Sequence, residues 1–314
     1  MVEITYLQAI VLGILQGVTE LFPISSLGHS VLVPAWLGGD WAALVTQYGN
    51  DSSSQSPYLA FIVALHVATA VALLVFYWRD WVSIIGAWFT TIKNRSVTTS
   101  TERLAWLIII ATIPVGITGL LLEHTFRVLF AKPVAAAAFL TLNGLILLAG
   151  ERLRRRADAR AAVEARTESA EQVSEEERHH AVVGGPSRTL DNLGYLEAAV
   201  VGLFQTFALL AGISRSGITM VGGLVRGLDH EDAAKFSFLL ATPVILAAGL
   251  LKIPSLLGPA GDGIHGQVVV GALAAGLAAY LSVRFLTRYF TTGTLVPFAI
   301  YCLVAGGISL VHFA

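Results

Sequence analysis

Two short stretches of this chain hold side chains whose types and spacing suit chemistry on phosphate. In the first, Gln16 and Glu20 stand four residues apart on one helical face, and Ser25, Ser26 and His29 follow closely. The second offers Ser214, Arg215, Ser216, Gly217 and Thr219. A guanidinium such as that of Arg215 grips two phosphate oxygens at once and cannot lose its charge. Gly217 is expected to open a short helix whose free backbone N–H groups favour an anion, with Ser and Thr hydroxyls as further donors. Glu20 could hold a hard divalent cation against phosphate oxygens or accept a proton. A serine hydroxyl or the His29 imidazole could attack phosphorus, or His29 could relay the proton. Plainer roles stand beside these. Glu20 and Arg215 could form a buried ion pair, the serines could cap helices, and His29 could be a capping donor. His66, in the middle of ALHVATA, reads as an interhelical hydrogen-bonding contact rather than a catalyst.

The elements that carry these residues repeat. YLQAIVLGILQGVTELFPISSLGH at 6–29 aligns without a gap on YLEAAVVGLFQTFALLAGISRSGI at 195–218, at a constant offset of 189. Gln16/Gln205, Ser25/Ser214 and Gly28/Gly217 are among the identical pairs. Each copy starts as an apolar helical run, breaks, and then presents hydroxyl and charged side chains. Interrupted hydrophobic helices in both halves predict a site built between the copies at membrane depth. With 55% hydrophobic and only 13% charged residues, the chain reads as an integral membrane protein. The start lacks a basic region and carries Glu20 and Pro23 where a cleavable signal would need apolar residues. The single cysteine, Cys302, cannot form an intrachain disulfide.

The expected fold is all-α, an inverted-topology repeat of two re-entrant hairpins and about six transmembrane helices. Repeat 1 occupies 1–150, with a hairpin over 5–37, a basic-free external loop over 38–57, and spans near 58–78, 104–122 and 133–150. Repeat 2 occupies 190–314, with a hairpin over 194–227 and spans near 236–252, 267–286 and 294–313. Lys and Arg concentrate in the connection 79–103 and after residue 150, which places those segments inside. Between the repeats, 151–189 reads as a charged cytoplasmic linker, helical or disordered. His179-His180 within it has no second ligand pair to complete a metal site. In LDHED, Asp229 reads as a helix N-cap with Asp232 in the box position. Small-residue runs at 135–138 and 271–279 pack helices within a chain as readily as between chains, so a homodimer is compatible with them. No nucleic-acid partner is expected.

QGVTELFPISSLGH and AGISRSGIT resemble the two signature regions of the undecaprenyl-diphosphatase, or bacitracin-resistance, family. LHVATAVALLVFYWRD, IPVGITGLLLE, FSFLLATPV and VPFAIYCLVAG extend the likeness through most of the chain. The resemblance implies a membrane enzyme that removes the terminal phosphate of undecaprenyl diphosphate, recycling the lipid carrier for cell-wall synthesis and conferring bacitracin resistance. It implies a divalent cation, Mg2+ or Ca2+, and a site in the cell membrane opening to the outer face. Carried over by position, Glu20 and Gln16 fall on the acidic motif, with Glu20 on the metal. Ser26 falls on the proposed nucleophile and His29 on the motif histidine. Ser214, Arg215, Ser216 and Thr219 fall on the phosphate-binding motif. The chain departs from the pattern at Ala211, where proline is usual, and at Leu27, where a small hydroxyl residue is common.

Residues alone leave a rival open, because inverted repeats with broken helices are also the architecture of secondary transporters. The gathering of Ser, His, Arg and Glu at both breaks favours phosphoryl transfer over reversible binding. The other membrane lipid-phosphatase superfamily is disfavoured, since its Lys-x6-Arg-Pro motif is absent.

Overall fold

The computed structural model describes residues 4–50, 57–130, 132–172, 190, 193–256, 258 and 263–314, and among these it is all helix and connection. Helix α1 (Tyr6–Thr19) starts at a reciprocal cap. The Thr5 hydroxyl accepts from the Gln8 N–H at 3.2 Å and Gln8 Oε1 accepts from the Thr5 N–H at 2.9 Å. After a turn over Glu20–Ile24 the chain re-enters helix as α2 (Ser26–Leu37). Then come α3 (Gly39–Asn50), α4 (Pro57–Phe76), α5 (Trp78–Asn94), α6 (Ser100–Phe130) and α7 (Pro133–Gln172). The second half repeats the broken pair as α8 (Tyr195–Thr206) with a 3-10 turn (Phe207–Leu209), then α9 (Arg215–Val225). It closes with α10 (His230–Leu256), α11 (His265–Tyr289) and α12 (Val296–Phe313).

Five helices among the described residues are long and apolar enough to cross a membrane. The count is six if the pair Ala60–Phe76 and Trp78–Asn94, bent by 84°, serves as one more. Their outward faces carry large apolar side chains such as Leu121, Leu273 and Val311, as lipid contact requires.

Each broken helix packs on a span of the other half, α1 on α11 and α8 on α6, while α7 pairs with α12. Small residues make these contacts close. A Cβ added at Gly13 would lie 2.3 Å from the Gly271 carbonyl oxygen, and one at Gly17 would lie 2.3 Å from that of Ala275. Gln16 and Glu20 follow on the same helix, so this α1–α11 contact sets their depth. The runs at 135–138 and 271–279 are used inside the chain, with Ala136, Ala137, Ala275 and Ala279 all buried.

One expectation needs correction and others are refined. The loop expected over 38–57 contains α3 through Asn50, and residues 51–56 lie outside the described part. The connection 79–103, expected inside, is mostly α5, whose apolar residues Val82, Ile85 and Phe89 are exposed beside polar ones. Such a face suits a helix lying in the interface. The expected linker is helical where it is described, since α7 runs unbroken to Gln172. Glu151 is buried and accepts from His230 Nε2 at 2.9 Å and from the Leu295 N–H at 3.4 Å, so the first residue of the expected linker is core. Residues 173–189, with His179-His180, lie outside the described part. Asp229 caps α10 through the Asp232 N–H at 2.7 Å, but the Asp232 carboxylate reaches the Leu190 N–H at 2.9 Å.

Candidate active site

The two breaks meet, and Asn143 of α7 holds them together. Its Nδ2 donates to the Pro23 carbonyl at 3.0 Å in the first break, and its Oδ1 accepts from the Ser214 N–H at 2.9 Å in the second. Ser25 caps α2 by accepting from the Gly28 N–H at 3.2 Å, and its oxygen also accepts from the Gly212 N–H at 3.1 Å. That double duty holds Ser25 at φ 71°, an unusual conformation for a residue with a side chain. Gly212 answers it at φ 116°, and a Cβ there would lie 2.5 Å from the Ala136 carbonyl oxygen. Only glycine fits that step.

This scaffold brings Glu20 and Arg215 into direct contact, Arg215 Nη2 donating to Glu20 Oε1. Oε2 of Glu20 accepts from the Ser26 hydroxyl and from Gln16 Nε2, the latter at 3.0 Å. His66 Nε2 lies 3.4 Å from the same oxygen, while its Nδ1 donates to the Ile62 carbonyl at 2.8 Å. Glu20 is 6% exposed, so a charge at this depth depends on these partners. Two atoms of the set are left over among the described residues: Gln16 Oε1 and Arg215 Nη1 are buried and make no hydrogen bond to protein. Beside the group is a cavity of about 250 Å³. Glu20, Ser25, Ser26, His66, Ser214 and Arg215 supply its polar wall, and apolar residues of α4, α6 and α10 form the rest.

Several expected site residues have other partners. His29 does not line the cavity: its Nδ1 bonds to the Ser25 carbonyl and its Nε2 to the Tyr301 hydroxyl, both at 2.7 Å. The Gly217 N–H is not free for an anion, since it donates to Ser214 Oγ at 3.1 Å. Ser216 donates to the Phe22 carbonyl at 3.2 Å, and the Thr219 hydroxyl bonds to the Arg215 carbonyl at 2.7 Å and to Ser237 Oγ at 2.6 Å. These groups stitch the second break to its surroundings. Ser25 and Ser214 line the cavity, yet each oxygen already caps a helix.

Sequence reasoning undervalued His66 and missed Asn143 and Gln205. His66, read as an interhelical contact, makes that contact with Glu20 itself. Asn143 is a lone amide in an apolar span, a signal that was present but pointed to no partner. Gln205 was visible only as the repeat mate of Gln16.

For a divalent cation, the chain offers oxygen donors in the Glu20 carboxylate and in Gln16 Oε1, which is buried beside it with no protein donor. Among the described residues no three His, Cys, Asp or Glu side chains converge as a metal cage. The set therefore fits an ion shared with phosphate oxygens, the habit of Mg2+ with one or two carboxylates.

Comparison with known proteins points to a single family. The family model described as bacitracin resistance protein BacA matches residues 9–308. A protein of Frankia alni named undecaprenyl-diphosphatase 2 is 62% identical over 339 aligned positions, covering 99% of each chain. One of Mycolicibacterium paratuberculosis, named undecaprenyl-diphosphatase, is 58% identical, covering 99% of this chain and 98% of its own. A more distant relative from Chromobacterium violaceum, undecaprenyl-diphosphatase 2, retains 40% identity over 97% of both chains. By that match along nearly its whole length, the chain belongs to the bacitracin resistance protein BacA family.

Proposed function

We propose that this protein hydrolyses undecaprenyl diphosphate to undecaprenyl phosphate and inorganic phosphate. The lipid carrier is thereby returned to cell-wall synthesis, and bacitracin resistance follows. The observation that carries the reading is the divided guanidinium of Arg215. One nitrogen is fixed by Glu20, while the other is buried beside the cavity as a donor that a phosphate oxygen would satisfy. A reversible binder would need no hydroxyl on the acid, whereas here the Ser26 proton already points at Glu20 Oε2.

In the proposed first step, Ser26 Oγ attacks the terminal phosphorus and passes its proton to Glu20. The bond to the bridging oxygen breaks, and undecaprenyl phosphate leaves. Arg215 holds the terminal phosphate and offsets the charge spread over its oxygens in the transition state. The Ser26–Glu20 bond favours Ser26 over His29 as the nucleophile, since both ring nitrogens of His29 are engaged elsewhere. His29 instead helps to hold the start of α2 against Tyr301 of α12.

Glu20 with Gln16 Oε1 would hold the divalent cation, Mg2+ or Ca2+, which when bound neutralises charge on the diphosphate oxygens. The apolar wall from α4, α6 and α10 suits the first isoprene units of the lipid. We place the site in the cell membrane, reached from the outer face, the side of the 38–57 stretch without Lys or Arg from which the first hairpin enters. In sealed right-side-out vesicles, phosphate from substrate in the outer leaflet should then appear outside. Release only into the lumen would reverse that assignment.

The direct test uses purified full-length protein in detergent with undecaprenyl diphosphate. It should release inorganic phosphate, stop with a chelator, and recover when Mg2+ or Ca2+ is restored. No phosphate release from the polyprenyl diphosphate with metal present would end the proposal. Release that persists through exhaustive chelation would remove the cation from it.

A further inference from the structure

The repeat pairs Gln16 with Gln205, and the two glutamines have unequal surroundings. Both are buried, at 3% and 0% exposure, and each amide is oriented by an acceptor. Gln16 Nε2 donates to Glu20 Oε2 at 3.0 Å, and Gln205 Nε2 faces the Ala111 carbonyl oxygen at 3.4 Å. Each side chain is therefore left with a buried Oε1 that accepts nothing from the described residues. Gln205 lines the cavity and Gln16 does not.

Gln205 is also held in place from below. Gly202, one turn earlier on α8, lies so close to α6 that an added Cβ would come within 2.4 Å of the Ala111 carbonyl oxygen. The residue that fixes the helix contact thus also fixes the amide. A rigid, buried acceptor on a reaction cavity calls for a donor that arrives with the reactants. The isoprenoid tail brings none, and an ionised diphosphate brings chiefly acceptors. Water, the second reactant, brings two protons.

We infer that Gln205 Oε1 accepts a hydrogen bond from the water that attacks phosphorus, which makes Gln205 a catalytic residue for hydrolysis. The inference rests on the diphosphatase reading of the same cavity. In the hydrolytic step the water oxygen bonds to the phosphorus carried on Ser26, and the bond from phosphorus to Ser26 Oγ breaks. Oγ leaves with the proton that Glu20 took in the first step. One water proton passes to Glu20 and on to solvent, and the other stays on the released phosphate. That second proton is the one Gln205 holds. An alcohol has a single hydroxyl proton, which Glu20 takes, so it has nothing to offer Gln205. The acceptor therefore selects water over alcohols, as a buried polar group does when one reactant satisfies it and another leaves it bare.

The experiment supplies methanol as a competing acceptor to the full-length enzyme in detergent, with metal and undecaprenyl diphosphate. It reads methyl phosphate against inorganic phosphate. With Gln205→Met, hydrolysis should fall about tenfold and the ratio of methyl phosphate to phosphate should rise about tenfold. Gln205→Glu, which keeps an acceptor oxygen, should hold the ratio near the wild-type value even if it turns over more slowly. The ratio counts only molecules that react, so partial misfolding leaves it unmoved, and Gln205→Leu provides a second apolar variant. A ratio unchanged in both apolar variants, or a rise in KM with the ratio constant, overturns the assignment to water. Failure of the wild-type enzyme to release phosphate from the lipid would instead remove the diphosphatase reading.

Discussion

The two breaks come from one repeated pattern, and comparing them separates scaffold from chemistry. Where the copies are identical, the residues do the same structural work. Ser25 accepts from the Gly28 N–H at 3.2 Å, and its mate Ser214 accepts from the Gly217 N–H at 3.1 Å. Where the copies differ, the reactive groups appear: Glu20 pairs with Leu209, and Ser26 with Arg215. Each break thus keeps the same cap and re-entry, and each contributes what the other lacks. The acid and the hydroxyl come from the first, the guanidinium from the second. Even the identical glutamines diverge for this reason. Gln16 finds the Glu20 carboxylate four residues on, while Gln205 has Leu209 there and turns to a backbone carbonyl instead.

The sharpest way to break the comparison is to make the first break as uncharged as the second is at that position. Glu20→Gln keeps the shape but removes the base for Ser26 and the partner of Arg215. The turnover number for undecaprenyl diphosphate should fall about a thousandfold, within the usual range for loss of a general base. Turnover within a few-fold of wild type would leave Glu20 as a packing partner only. The matching change in the second break is Arg215→Lys, which keeps the charge but gives up the fork that serves Glu20 and substrate together. A loss of about a hundredfold is expected from steady-state assays, comparable to removing one preorganised donor. If lysine supports near-normal rates, point charge suffices and the free Nη1 is not the phosphate contact.

Asn143 tests whether the breaks depend on each other. Asn143→Leu strands the Pro23 carbonyl on one side and the Ser214 N–H on the other, both buried. Unfolding in mixed detergent and SDS should show a loss of about 2 kcal/mol, the scale for unsatisfied buried groups. Activity should drop with it, since the distance between Ser26 and Arg215 rests on this clamp. An unchanged unfolding free energy would mean that the breaks are held by helix packing alone.

Much of this arrangement was legible in the chain because a broken helix announces itself by a polar interruption in an apolar run. The repeat, the two breaks, the Glu20–Arg215 meeting and the all-α membrane class all follow from such patterns. The illegible parts depend on direction. A serine after a break reads alike whether its oxygen faces a substrate or a backbone N–H, so Ser25, Ser214 and Ser216 looked like ligands. His29 was put ahead of His66, yet it is His66 that lies beside Glu20, because the imidazole that turns inward is decided by the bond of His29 to Tyr301 and by the packing of α4 on α11. The charged stretch after residue 150 hid the burial of Glu151, which finds its partners in residues 79 and 144 positions away.

The smallest effect concerns the way the two breaks turn. The first uses Pro23, whereas the second has Ala211 immediately before Gly212, where the family resemblance led us to expect proline. The backbone is already prepared for that residue. Leu210 sits at φ −78° and ψ 117°, the extended conformation that a following proline imposes. The Ala211 N–H makes no hydrogen bond that proline would remove, among the described residues. Ala211→Pro should therefore narrow the unfolded ensemble without straining the fold, a gain of about 0.5 kcal/mol in the same unfolding measurement. Turnover should stay at the wild-type level, because Arg215 is positioned by Glu20 and by the start of α9 rather than by residue 211. A loss of stability would show that the second break needs a φ at residue 211 that proline cannot adopt. In that case the chain has settled the turn differently from the first break, with Gly212 alone supplying the bend.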